Sequence, residues 1–201
     1  NLSMHIPDGF IDLPTSAAFA AIAAAGVAIS IRGSKSSLDE KTAPLAGLTA
    51  TFIFAVQMLN FPVAAGTSGH LLGAALAAVL IGPYAATLAI TIVLILQALL
   101  FADGGLSALG LSIFNMSLLA VWFGYGVFLL IKKILPKKKI SISIAAAIAA
   151  LLSVPAAAAG FVLQYAIGAN STFSLTAVFT GMMSTHVLIG IGEAIITALT
   201  S

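Results

Sequence analysis

Residues 85–101 read AATLAITIVLILQALLF, seventeen consecutive positions with no charge and a single amide, Gln97. A helix crossing about 30 Å of hydrocarbon at 1.5 Å per residue needs about 20 mostly apolar residues. Measured with that ruler, the whole chain divides into about seven apolar segments, roughly 15–31, 43–62, 70–83, 85–101, 108–131, 141–167 and 174–198. The breaks between them carry Gly, Pro or charge: Arg32 to Lys41, Pro62 to Gly69, Gly82-Pro83, Asp103-Gly104-Gly105, the lysine run, and Gly168 to Thr172. No ten-residue alternation of a barrel is present, and lipid-exposed backbone must satisfy its own hydrogen bonds, so the segments read as helices. The expected fold is all-α: one integral membrane domain over residues 1–201, with about seven transmembrane helices.

Composition agrees. Of 201 residues, 61% are hydrophobic and 7% charged, against about 25% charged in an ordinary soluble domain. Eight Lys or Arg and six Asp or Glu cannot coat a water-soluble globule of this size, which excludes a cytosolic enzyme. Nucleic-acid binding is excluded as well, because the net charge is only +2 and five of the eight basic residues fall in one run, Lys132 to Lys139. The absence of Cys removes disulfides and thiolate metal sites.

The 70–83 segment is the shortest. Fourteen residues reach only about 21 Å, so it reads as a helix starting below the surface or as a re-entrant element. Pro62 breaks the preceding helix, and Gly66-Thr67-Ser68-Gly69 gives a flexible approach. Irregular backbone at membrane depth survives only beside protein or a watery cavity, which points to a site near residues 62–70.

Lys and Arg placement sets the orientation. Arg32, Lys35 and Lys41 follow the first segment, and Lys132, Lys133, Lys137, Lys138 and Lys139 follow the fifth. With seven crossings these loops share one side, expected to be cytoplasmic, and the opposite side holds no Lys or Arg. The N-terminus is then outside, with Asp8, Asp12 and Asp103, and the C-terminus inside. The first residue is Asn, which fits a removed signal sequence or a trimmed chain.

Three histidines are candidates for chemistry. His5 lies in the outer stretch Met4-His5-Ile6-Pro7-Asp8-Gly9-Phe10, and His70 follows Gly69 on the same face. A lone His reads first as a hydrogen-bonded interfacial residue, but two on one face beside a broken helix make a metal pair an equal reading. Pro7-Asp8-Gly9 is a turn sequence that folds the arm, residues 1–13, back toward the bundle. Gln57 reads as an amide tying helices together, whereas Asn60 and Asn115 are candidates to support a metal-bound His from behind. His186 and Glu193 fall seven apart on one face of the last segment. Intramembrane ionisable groups are functional hypotheses by default, yet Glu193, near the inner interface, reads as hydrated or paired with a Lys. Ala17, Ala21 and Ala25 form a small-residue face open to a partner helix.

Four stretches carry a resemblance along essentially the whole chain. They are Met4-His5-Ile6-Pro7-Asp8-Gly9-Phe10, Gly66-Thr67-Ser68-Gly69-His70-Leu71-Leu72-Gly73, Phe114-Asn115-Met116, and His186-Val187-Leu188-Ile189-Gly190-Ile191-Gly192-Glu193. The chain resembles the substrate-binding membrane component of nickel and cobalt energy-coupling-factor transporters, the CbiM/NikM family. The resemblance implies capture of Ni2+ or Co2+, as transported substrate, on the outer side of a prokaryotic plasma membrane. It also implies partners: a transmembrane coupling subunit, cytoplasmic ATPase subunits and often a small accessory membrane subunit. The metal ligands it implies are the Met4 amino nitrogen, the His5 amide nitrogen and imidazole, and the His70 imidazole.

That nitrogen set closes a five- and a six-membered chelate and suits Ni2+ better than Co2+. Protons compete for the nitrogens, so affinity should fall at low pH. Asn1-Leu2-Ser3 depart from the family pattern, in which Met comes first. While they are attached, Met4 offers a peptide nitrogen and binding is expected to be weaker. No GxxxxGK[ST] motif is present, so the chain is expected to be no enzyme and to take its energy from partner ATPases. Two other classes are open: an intramembrane hydrolase using Ser184 and His186, and a proton-coupled secondary transporter using Glu193 and His186.

Overall fold

The computed structural model describes residues 5–40, 42–58, 61–64, 67–69, 72–170 and 172–200, with 61–64 and 67–69 described by their backbone. The elements are α1 (Leu13–Ser37), α2 (Thr42–Met58), β1 (Phe61–Ala64), β2 (Thr67–Gly69), α3 (Ala74–Ile81), α4 (Pro83–Phe101), α5 (Leu109–Ile134), α6 (Lys139–Gly168) and α7 (Leu175–Thr200). Within α5, residues Phe114–Leu119 form a π-helical turn.

Local chemistry sets the ends. Asp12 caps α1 by accepting from the Thr15 N–H at 2.8 Å, and Pro14 occupies the first turn, where its missing N–H costs nothing. Asp39 and Thr42 exchange main-chain and side-chain bonds at 2.8 Å to start α2. Pro83 opens α4, and Ala102 closes it in the left-handed region at φ 51°.

Among the described residues five helices, α1, α4, α5, α6 and α7, are long and apolar enough to cross a membrane. The other two are shorter than their apolar segments: α2 has 17 residues and α3 has 8. Between them the chain departs from the expected helices and flexible approach. It forms a two-stranded antiparallel hairpin, Phe61 opposite Gly69 and Pro62 opposite Ser68. Pro62 lacks an N–H and disfavours helix at the residue before it, and a ladder satisfies backbone polar groups that a free loop would leave open.

Packing is that of a membrane bundle. Along α6, Ala145, Ala146, Ala149, Ala150, Ala157 and Ala158 are fully buried. A Cβ at Gly190 of α7 would stand 2.6 Å from the Leu151 carbonyl oxygen, so the two helices approach at backbone range. Outward-facing Leu100, Leu130, Ile134 and Leu199 expose their side chains, as lipid-facing positions do. The first residues of α1 and α5 and the last of α4 and α6 gather at one end with the arm. At the other end Gly33 of α1 lies under Tyr84 of α4, and Lys132 to Lys139 join α5 to α6.

Candidate functional site

The arm does not trail in solvent. Pro7-Asp8-Gly9 turns as its sequence predicts, with the Phe10 N–H on the Pro7 carbonyl at 3.4 Å and Gly9 at φ 78°. On one side of this turn Ile6 is fully buried; its N–H donates to Ser112 Oγ at 3.4 Å, and its carbonyl accepts from Gly105 N–H at 2.9 Å. On the other side, Phe10 stacks on Phe161 at 5.8 Å and lies 5.5 Å from the Tyr165 ring. The Asp12 N–H donates to the Gly168 carbonyl at 2.7 Å, and the Asn170 N–H to the Phe10 carbonyl at 3.0 Å. The arm therefore lies between the 102–108 loop, the start of α5 and the end of α6.

Two glycines make room for it. A Cβ at Gly105 would collide with the main-chain nitrogen and carboxylate of Asp8, and one at Gly168 would collide with the Asp12 carboxylate and with Thr15 of α1. Asp8 accepts from both the N–H and the hydroxyl of Ser107. These bonds, the hydroxyl first, hold its carboxyl below the ordinary value of 3.8. Asp12 is likewise held low, chiefly by its bond with Thr15.

His5, only 6% exposed, precedes the buried Ile6 in this arm. Its Nε2 lies 3.8 Å from Asp103 Oδ2, and its Cβ and Nδ1 border Gly104, which has φ 92°. In the sequence Asp103 is only an outer carboxylate. The signal was a carboxylate followed by two glycines, a loop able to bring backbone and charge close to an inserted side chain. The expected partners Met4, His70 and Asn60 lie outside the described residues. Among the described residues no three His, Cys, Asp or Glu converge on a common point.

Other polar residues are committed elsewhere. Asn115, on the π turn, forms a reciprocal amide pair with Gln164 of α6, at 2.8 and 3.0 Å, both side chains fully buried. Gly160 leaves the space that Asn115 fills. Gln57 donates to the Leu72 carbonyl at 2.8 Å and accepts from Gln97 at 3.2 Å, tying α2 to α4.

Glu193 differs from its expected hydrated or Lys-paired state. It is buried, and its two oxygens accept the N–H groups of Leu72 at 3.1 Å and Gly73 at 2.6 Å, at the start of α3. These two N–H groups belong to the N-cap residue Gly73 and the residue before it, just ahead of the first turn of α3, and an ionised carboxylate is a strong acceptor for both. His186 Nδ1 lies 2.6 Å from the Met182 carbonyl of its own helix. Ser184 is exposed and donates to the Thr180 carbonyl at 2.6 Å, so it and the buried His186 do not form a nucleophile–base pair.

Comparison with known proteins agrees with this architecture. A solved structure titled as a truncated transition metal transporter superposes with a TM-score of 0.86, at 33% identity, covering 98% of this chain and 95% of that one. A protein of Archaeoglobus fulgidus, provisionally named a fused nickel transport protein, NikMN, is 38% identical over 195 residues. That match takes in 97% of this chain but only 63% of the relative's own length. The cobalt transport protein CbiM of Sorangium cellulosum is 33% identical over 202 residues, with 97% of this chain and 88% of that protein covered. The family model described as the cobalt uptake substrate-specific transmembrane region matches residues 5–201, and the chain belongs to that family, CbiM.

Proposed function

We propose that the chain is the substrate-capture membrane component of an ATP-driven importer of Ni2+ or Co2+ in a prokaryotic plasma membrane. Its relatives are named for nickel or cobalt transport, not for catalysis. In this reading the whole chain is one integral domain with seven crossings, counting α2 and α3, the N-terminus outside and the C-terminus in the cytoplasm. Residues 1–13 are the metal-binding arm. Met4, His5 and His70 supply the nitrogens, Ni2+ being preferred over Co2+ because a planar nitrogen set suits it. A transmembrane coupling subunit and cytoplasmic ATPases, with a small accessory membrane subunit, move the arm or the whole protein after capture.

The observation that carries this reading is the seating of His5. A polar side chain five positions into an arm has no packing reason to be buried, yet the turn, two glycines and a set of backbone bonds bring it against the 103–105 loop. The proton-coupled alternative lacks such support, since Glu193 is engaged by two backbone N–H groups and His186 faces its own helix.

The test is calorimetric titration of Ni2+, Co2+ and Mg2+ into purified protein of mass-defined N-terminus. His5→Ala and His70→Ala should each lower Ni2+ affinity by more than the roughly 10- to 100-fold that a change behind the ligands costs. Equal binding of Ni2+ and Mg2+, or wild-type affinity in both variants, would sink the reading.

A further inference from the structure

Resting on the capture reading above, we infer that Glu193 and Gln57 are positioning residues that hold the chain beside His70 in register with the rest of the bundle. The peptide at Leu72 and Gly73 is gripped from two sides. Glu193 of α7 takes the Leu72 and Gly73 N–H groups at 3.1 and 2.6 Å, and Gln57 of α2 donates to the Leu72 carbonyl at 2.8 Å. Gln97 of α4 in turn donates to Gln57 Oε1 at 3.2 Å. Glu193, Gln57, Gln97 and Leu72 are all buried, so water does not compete for these bonds.

Two features separate this from ordinary helix capping. A carboxylate inside an apolar bundle is costly, whereas a neighbouring Ser or Asp caps a helix cheaply. Here the carboxylate comes from 120 residues away and spends both oxygens on the consecutive N–H groups of Leu72 and Gly73, just ahead of α3. The gripped peptide also lies two positions from His70, and a residue two positions away can be no further than about 7.6 Å, Cα to Cα. On the other side, Gly69 is paired with Phe61 in the hairpin. Gly69 before His70 and Leu72 after it are thus both bonded, and the anchors after it stand on two different helices, α7 and α2, with Gln97 of α4 behind Gln57. Gly73 itself, at φ 80°, would bring a Cβ within 3.1 Å of Ile53, so the turn into α3 lies close against α2 and favours glycine.

A side chain that places a metal-binding imidazole acts through that imidazole, which gives the test its form. Ni2+ is titrated into wild type, Glu193→Gln, Gln57→Leu, His70→Ala and the double variant Glu193→Gln/His70→Ala, all in detergent. Gln in place of Glu turns an NH2 toward a backbone N–H, so the grip loosens at constant size. Glu193→Gln should lower Ni2+ affinity about 10- to 100-fold, and Gln57→Leu should act in the same direction. On the His70→Ala background Glu193→Gln should cost nothing further, because the ligand it positions is gone.

Wild-type affinity in Glu193→Gln, or an equal loss with and without His70, overturns the positioning role. Should Glu193→Gln fail to fold, Gln57→Leu with and without His70 decides by the same comparison. Failure of the capture reading has a different signature: His5→Ala and His70→Ala both keep wild-type affinity, and the positioning role falls with it.

Discussion

The imidazole of His5 and the carboxylate of Asp103 face each other at 3.8 Å across the junction of arm and loop. A ring that binds metal through Nδ1 leaves Nε2–H to donate, and a carboxylate at that position fixes the ring's orientation and strengthens the other nitrogen as a donor. Asp103→Asn should therefore weaken Ni2+ binding roughly 10-fold without altering the stoichiometry, measurable in the same calorimetric series.

Gly105 and Asp8 give a second expectation. Gly105→Ala places a methyl where the Asp8 main chain and carboxylate lie. The arm should lift while α1 to α7 stay folded. Limited proteolysis should then cut between Ile6 and Asp12 in the variant and spare the wild type, with little change in the thermal melt of the helices. An arm equally protected in both proteins would show that Gly105 is not what seats it.

The Asp8–Ser107 contact carries a pH dependence. Folding lowers the Asp8 carboxyl below its ordinary 3.8, so its contribution is present above that value and lost as the pH falls through the lower folded value. Docking of the arm should weaken at the acid end of a titration from roughly pH 6 to pH 3, followed by the Ser107 amide resonance, and Asp8→Asn should remove that dependence.

Asn115 and Gln164 are matched at both ends of their amides and have no access to water. Asn115→Ala strands the Gln164 amide and should cost about 1–3 kcal/mol of stability in detergent. The double replacement Asn115→Leu/Gln164→Leu should cost clearly less than the sum of the single changes, since no buried amide is left without its partner.

The amine at Met4 supplies a fifth expectation. Protein processed so that Met4 carries the free amine should bind Ni2+ more tightly than protein keeping Asn1-Leu2-Ser3, because a peptide nitrogen must first lose a proton. Equal affinity in two preparations distinguished by mass spectrometry would remove the amine from the ligand set.

Much of this architecture can be read in the sequence because it rests on runs of apolar residues. The segment 85–101 became Pro83–Phe101, and 141–167 became Lys139–Gly168, each within two residues. Pro7-Asp8-Gly9 told correctly that the arm turns back. What stayed hidden depends on pairing between distant positions. Nothing in the periodicity around Glu193 announces that it meets Leu72, 121 positions away, nor that Gln164 waits for Asn115. The hairpin at 61–69 was missed for a related reason: apolar composition reports depth in the bilayer, while a ladder is chosen by which backbone groups lack partners.

The main-chain ties that seat the arm, Gly105 to Ile6, Asp12 to Gly168 and Asn170 to Phe10, ask nothing of the side chains they join. Ile6, Asp8, Phe10 and Asp12 are held a second time by their side chains, whereas Gly105 is needed only for the space it leaves, so loss of any one arm side chain need not unseat the whole segment.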